Sequence, residues 1–169
     1  MDELRIPTVT LAADVVFSDG RQFPGKLFVP ASAPRHAGPA RPSEWLNEPA
    51  EFFAFLPDDS SEPIMVNKGE VLFVSVSAEA NDVGSNDEVE TTRPTVEVEC
   101  AGRRLEGHLA IDMPAGQTRV LDYLNRAERF LTLRNGRRHY LLRKSGITRV
   151  FDKSEVPRHK SEDPNHKPA

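Results

Sequence analysis

The sequence predicts an all-β protein with short helices, organised as two tandem five-stranded small barrels. Three observations carry that expectation. The first is an internal repeat. Gly20, Arg21, Gly25 and Leu27 recur as Gly102, Arg103, Gly107 and Leu109 at an offset of 82. The offset is 78 for Trp45, Leu46, Asn47 and Phe52 against Tyr123, Leu124, Asn125 and Phe130, and 76 for Met65, Val66, Lys68, Val71 and Val74 against Leu141, Leu142, Lys144, Ile147 and Val150. Drift confined to stretches that read as loops is what duplication of one folding unit leaves behind. The second observation is a series of short apolar segments bounded by turn residues. The third is a glycine inside the second strand of each copy, Gly25 and Gly107. A mid-strand glycine weakens a strand unless a bend or a close backbone approach requires it, and a bent strand lets a small sheet close on itself.

In the second copy, residues 96–100 alternate and run into the turn Ala101, Gly102, Arg103. Residues 104–113 form the long bent strand, which Pro114, Ala115 and Gly116 break. Thr118 is placed to cap a short helix in which Val120, Leu121, Leu124 and Ala127 fall at helical spacing. Residues 130–133 and 140–142 form a hairpin around Asn135 and Gly136, a pair suited to positive φ, and residues 147–151 end the copy. The first copy follows suit, with strands at 15–17, 22–29, 52–56, 63–66 and 71–76 and a helix over 44–47 capped by Ser43. A Pro-rich run, 31–42, replaces the short loop of the second copy. The expected units are 1–76, an acidic flexible linker 77–92, the second repeat 93–152, and a disordered tail 153–169.

Charge is unevenly shared. Residues 1–76 hold 6 Lys/Arg and 11 Asp/Glu, a net of −5, whereas 93–151 hold 12 and 6, a net of +6. Opposite fields favour docking of one copy on the other. Of those 12 bases only Lys144 is lysine. Arginine suits bidentate carboxylate recognition and is enriched at interfaces, so the bias fits a surface that engages acidic protein.

The pattern Gly-Arg-x-x-x-Gly-x-Leu, the bent second strand and the five-strand count resemble the small barrels of the Sm-like superfamily. The helix differs in place, lying between the second and third strands instead of before the first. Residues 119–125 and 129–133 resemble more closely a group of small uncharacterised bacterial domains that share Arg-x-x-Asp-x-Leu-Asn … Phe-Leu-x-Leu. The resemblance covers about 55 residues of the second copy, and the first more weakly. It implies a fold and brings no reaction with it. The first copy departs from it at Pro42, at Glu44 in place of Asp122, and in its longer loop.

No catalytic group stands out. Cys100 alternates with strand residues and reads as a packed side chain. His36, His108 and His139 are isolated, Asp58 and Asp59 form a hairpin tip, and no phosphate-cradling glycine loop occurs. No cofactor or metal is called for. No segment reaches the length of a membrane span and residues 1–5 lack signal-peptide character, so the expected address is cytoplasmic. The leading expectation is a non-enzymatic bacterial adaptor or regulatory subunit that binds another protein through Trp45, Arg119, Tyr123, Arg126 and Arg129. Arg126 and Arg129 have no evident local duty, while Arg119 fits either a partner contact or a bond to Asp122. The alternative is RNA or DNA binding. Arg103, Arg104, Arg134, Arg137, Arg138, Arg143 and Arg149 would join the arginines above on phosphates, with Tyr123, Phe130 or Tyr140 under bases. The acidic first copy and a pI near 5.8 oppose that alternative.

Overall fold

The computed structural model describes residues 6–82, 93–111, 120–126 and 128–153. The expected linker residues 83–92, the cap Thr118, the break at 114–116, Arg119 and the tail beyond Lys153 lie outside these. The first segment comprises β1 (Thr8–Phe17), β2 (Gln22–Pro30), α1 (Pro42–Leu46), β3 (Phe52–Pro57), β4 (Ile64–Asn67) and β5 (Val71–Ser77), followed by α2 (Ala78–Asn81). The second comprises β6 (Thr95–Cys100), β7 (Arg103–His108), α3 (Val120–Leu124), β8 (Phe130–Asn135), β9 (Arg138–Arg143) and β10 (Ile147–Asp152).

The ten strands form one antiparallel sheet in the order β10-β6-β7-β8-β9-β5-β1-β2-β3-β4. Each segment therefore contributes its strands in the same sequence: fifth, first, second, third, fourth. The ladders agree under the sequence offsets, with an offset of 83 in the first strand because the β1–β2 turn is one residue longer than the β6–β7 turn. Phe53 faces Val66 where Leu131 faces Leu142, and Ala13 faces Gly25 where Val96 faces Gly107. Even the irregularity recurs. The β1–β5 register shifts between Val16 and Phe17, and the β6–β10 register shifts between Ile147 and Arg149.

Two separately closed barrels were expected, and the sheet is instead open and continuous. The physical reason lies at the seam. The outer edge of β5 pairs with β9 through five residue pairs, Phe73 with Leu142 to Ser77 with Arg138, so its hydrogen-bonding groups are satisfied by the other segment. This leaves β4 and β10 at the two ends. The mid-strand glycines serve a close approach. A Cβ on Gly25 would stand 2.3 Å from the Leu56 carbonyl oxygen, and one on Gly107 would stand 2.5 Å from that of Arg134.

Apolar side chains divide into two cores that exchange residues across the seam. Val15, Leu27, Leu46, Phe53, Phe55, Val71, Val74 and Val76 build the first, which also takes Phe130 and Leu141 from the second segment. Val96, Val98, Leu109, Ile111, Leu131 and Leu133 build the second, which takes Val16, Leu72 and Phe73 from the first. β5, at the seam, is thus buried on both faces, and its first four residues, Val71 to Val74, read as an unbroken apolar run. Cys100 belongs to the second core at 1% exposure, and burial raises its thiol pKa.

Two local expectations are corrected. Ser43 is not the cap of α1. Pro42 occupies the first turn, where its fixed φ is suited and no N–H is missed, and Arg41 precedes it in extended geometry. The Glu44 carboxylate accepts from the Arg41 backbone N–H at 3.1 Å, closing the turn. The start of the expected flexible linker is helical: Ser77 caps α2 through Ala80 N–H at 3.3 Å, and Asn81 is buried.

Candidate interaction surface

Of the five residues singled out by the sequence, four are described, and among those four only Tyr123 and Arg126 meet. Trp45 is half-buried on α1 and packs edge-on against Phe53 at 5.3 Å, as part of the first core's lining. Tyr123 is buried in the second core, with the Arg126 guanidinium 5.5 Å from its ring centroid. Arg129 has a duty the sequence did not reveal: its guanidinium meets the Glu51 carboxylate at 3.2 and 3.4 Å across the seam. Arg119 lies outside the described residues.

That ion pair is one of several contacts that use the arginines of the second segment internally. Arg134 binds Asp82 at 2.9 Å, and Arg138 donates to Ser75 and reaches Asp14 at 3.5 Å. Arg143 donates to the Val71 carbonyl at 2.6 Å and to the Ser18 hydroxyl at 3.1 Å. Arg129, Arg138 and Arg143 each meet two acceptors, which a planar donor fork can do and the lysine ammonium does less well. Lysine appears where a single donor suffices. Buried Lys68 donates to the Glu48 carbonyl at 2.9 Å, and Lys144 donates to the Arg126 carbonyl at the matching place in the second segment. Burial lowers the Lys68 pKa and nearby Arg129 adds to the effect.

A polar chain completes the seam. The Ser43 N–H donates to Asn81 Oδ1 at 3.0 Å, and Asn81 Nδ2 donates to His139 Nδ1 at 3.1 Å. Burial lowers the His139 pKa, with Asp82 opposing and Arg134 reinforcing the shift. Neutral His139 is the form that accepts from Asn81. Asn47 clamps the start of β8, with Oδ1 accepting from Phe130 N–H at 2.7 Å and Nδ2 donating to the Phe130 carbonyl at 3.1 Å. Beside it a groove of about 470 Å³ runs between the Pro-rich loop and β8, lined by Arg35, Glu44, Asn47, Glu128 and Thr132 among others. His36 closes its loop by bonding the Ala37 carbonyl and the Glu44 carboxylate, which raise its pKa.

A cluster of cationic groups lies elsewhere, around the terminal strands β10, β6 and β7. Arg104 reaches Glu97 at 3.2 Å and Glu99 at 3.8 Å, Arg149 binds Glu99 at 2.7 Å, and Lys153 reaches Glu97 at 3.5 Å. Three cations share these two carboxylates, and Glu106, directly opposite Glu97 in the β6–β7 ladder, brings a third acid to the same face. Phe151 faces Glu97 across the ladder and is 36% exposed. The guanidiniums of Arg104 and Arg149 lie 5.8 and 5.2 Å from its ring centroid. An aromatic flanked by cations offers apolar contact and directed charge in one patch. The pairing of Phe151 with Arg104, 47 positions apart, is set by strand register and left no local pattern to find.

Among the described residues, no three His, Cys, Asp or Glu side chains converge as a metal site would require, and no helix is long and apolar enough to cross a membrane. Comparison with family models, with curated proteins and with solved structures gives no match.

Proposed function

We propose that the chain is a non-enzymatic protein-interaction adaptor or regulatory subunit of a bacterial cytoplasmic complex, made of two tandem Sm-like units. Support for the duplicated unit comes from the repeated strand order, registers and register shift. The observation that carries the function is the Arg104–Phe151–Arg149 platform beside the outer edge of β10, with which no described strand pairs. Its two exposed guanidiniums suit carboxylates on a partner's acidic surface, and Phe151 supplies the apolar anchor that such contacts centre on. Glu97 and Glu99 within the platform disfavour a polyphosphate backbone, which places nucleic acid second.

Affinity purification from the native host identifies the partner, and calorimetry then compares the parent chain with Arg104→Gln/Arg149→Gln. The double substitution is expected to weaken binding by at least about 1 kcal/mol. Both sites are exposed, so stability should move by no more than about 0.5 kcal/mol. Unchanged affinity removes the platform from the interface. Tight nucleic-acid binding with a steep salt slope in a low-salt gel shift replaces the adaptor reading with the nucleic-acid one.

A further inference from the structure

The chain already contains one junction between two of its five-strand segments, and its ends carry the two halves of a second. We infer that the β4 edge of one molecule pairs antiparallel with the β10 edge of another, extending the sheet from chain to chain. This rests on the reading of the β10 edge as an interaction surface and names a second copy as its occupant.

Under the offset of 76, β9 corresponds to β4 and β5 corresponds to β10. The intramolecular β5–β9 ladder is therefore a template for a β10–β4 ladder. Its pairs Phe73 with Leu142, Val74 with Leu141 and Ser75 with Tyr140 translate into Arg149 with Val66, Val150 with Met65, and Phe151 with Ile64.

Burial supports the template from both sides. Phe130 and Leu141 are the two residues of the second segment that enter the first core, at 1% and 0% exposure. Their counterparts Phe52 and Met65 are 57% and 84% exposed, and Ile64 beside them is 41% exposed. On the receiving side, Leu46, Val71 and Val74 are fully buried under that contact, whereas their counterparts Leu124, Ile147 and Val150 are only half-buried. Apart from Ile6, every large exposed apolar side chain among the described residues belongs to one of these two ends: Phe52, Ile64 and Met65, or Leu121 and Phe151.

The clamp repeats as well. Asn47 holds the backbone N–H and C=O of Phe130. Its counterpart Asn125 is exposed, and its side chain makes no hydrogen bond among the described residues. Phe52, the counterpart of Phe130, begins the strand next to the β4 edge. Charge agrees with the pairing, since the β4 end belongs to the segment of net −5 and the β10 end to the segment of net +6. An unpaired edge flanked by exposed apolar residues is a template for another strand. Because the two edges differ, the contact is head-to-tail, and it propagates or closes into a ring.

Sedimentation velocity on the full chain tests this as a function of concentration. The mass is expected to rise above that of the monomer, and Met65→Glu is expected to move the midpoint of association to at least about tenfold higher concentration, as loss of a central apolar contact does. A parent chain that stays monomeric overturns the inference, as does Met65→Glu assembling like the parent. A second measurement fixes the partner edge and does not depend on that variant. Directly opposed residues have Cβ atoms about 4.5–5.5 Å apart, close enough for a disulfide to draw together. Oxidising a mixture of Met65→Cys and Val150→Cys chains should yield the mixed dimer. Met65→Cys linking to itself as well as to Val150→Cys would mean a two-fold β4–β4 contact and overturn the inference. Failure here stays separable from failure of the adaptor reading. A monomeric chain whose native partner still loses affinity on Arg104→Gln/Arg149→Gln keeps the platform and loses only the self-association.

Discussion

Replacing Gly25 by alanine should be among the most damaging single-methyl additions this fold can receive. The new Cβ would lie 2.3 Å from the Leu56 carbonyl oxygen, 2.5 Å from Cζ of Phe55 and 2.9 Å from Cα of Pro57, where ordinary contact begins at 3.4 Å. Two of those three atoms are backbone, so no side-chain rotation relieves the clash. β2 and β3 must move apart by about 1 Å, yet only three residue pairs hold them together, Gly25 with Pro57 to Leu27 with Phe55. Overpacking costs about 1–3 kcal/mol, and each ladder hydrogen bond weakened adds about 1 kcal/mol. A loss near 3 kcal/mol corresponds to a fall of about 6–12 °C in Tm for a chain of this size. Urea and thermal unfolding followed by far-UV circular dichroism measure it. Gly107→Ala should behave alike but more mildly, with contacts of 2.5 Å to the Arg134 oxygen and 3.0 Å to Leu133. Gly20→Ala is the control. Nothing lies within 4 Å of its added methyl, and only the φ of 92° opposes it, a cost of about 1–2 kcal/mol. If Gly25→Ala unfolds within about 1 kcal/mol of the parent, close approach of β2 and β3 is not what the glycine provides.

Asn47→Ala should cost about 1–3 kcal/mol by leaving the Phe130 N–H without an acceptor, and amide exchange at Phe130 should quicken more than in β1; unchanged protection would deny the clamp its role. Lys68→Met keeps the buried stem but deprives the Glu48 carbonyl of its donor, so Tm should drop further than for Lys26→Met at an exposed site, and equal effects would contradict the capping role. The two described histidines with shifted pKa should titrate on opposite sides of the ordinary 6.5 in an NMR pH series, His36 above and His139 below. The stability that His36 confers is full below about pH 6.5 and lost as pH rises through its raised value, whereas that of His139 is present above about pH 6.5 and lost as pH falls towards its lowered value. His139 titrating above 6.5 would overturn the account of the seam.

The chain by itself pointed to most of the strands, and the order of those strands recurs in the two segments. Alternation, turn residues and paired glycines are short-range signals, and each follows from backbone sterics that a few neighbouring residues settle. Gly25 and Gly107, Leu46 and Leu124, and Phe52 and Phe130 accordingly occupy matching elements. Charge asymmetry between the halves was also legible, as was the preference for arginine. What the tertiary structure alone decided is where those arginines go. Arg129, Arg134, Arg138 and Arg143 are drawn to acceptors 52 to 125 positions away because β5 and β9 share a ladder. Phe130 and its counterpart Phe52 carry the same side chain in the same register. One is buried and the other exposed, since burial depends on whether a neighbouring segment covers the strand, and no local sequence encodes the neighbour.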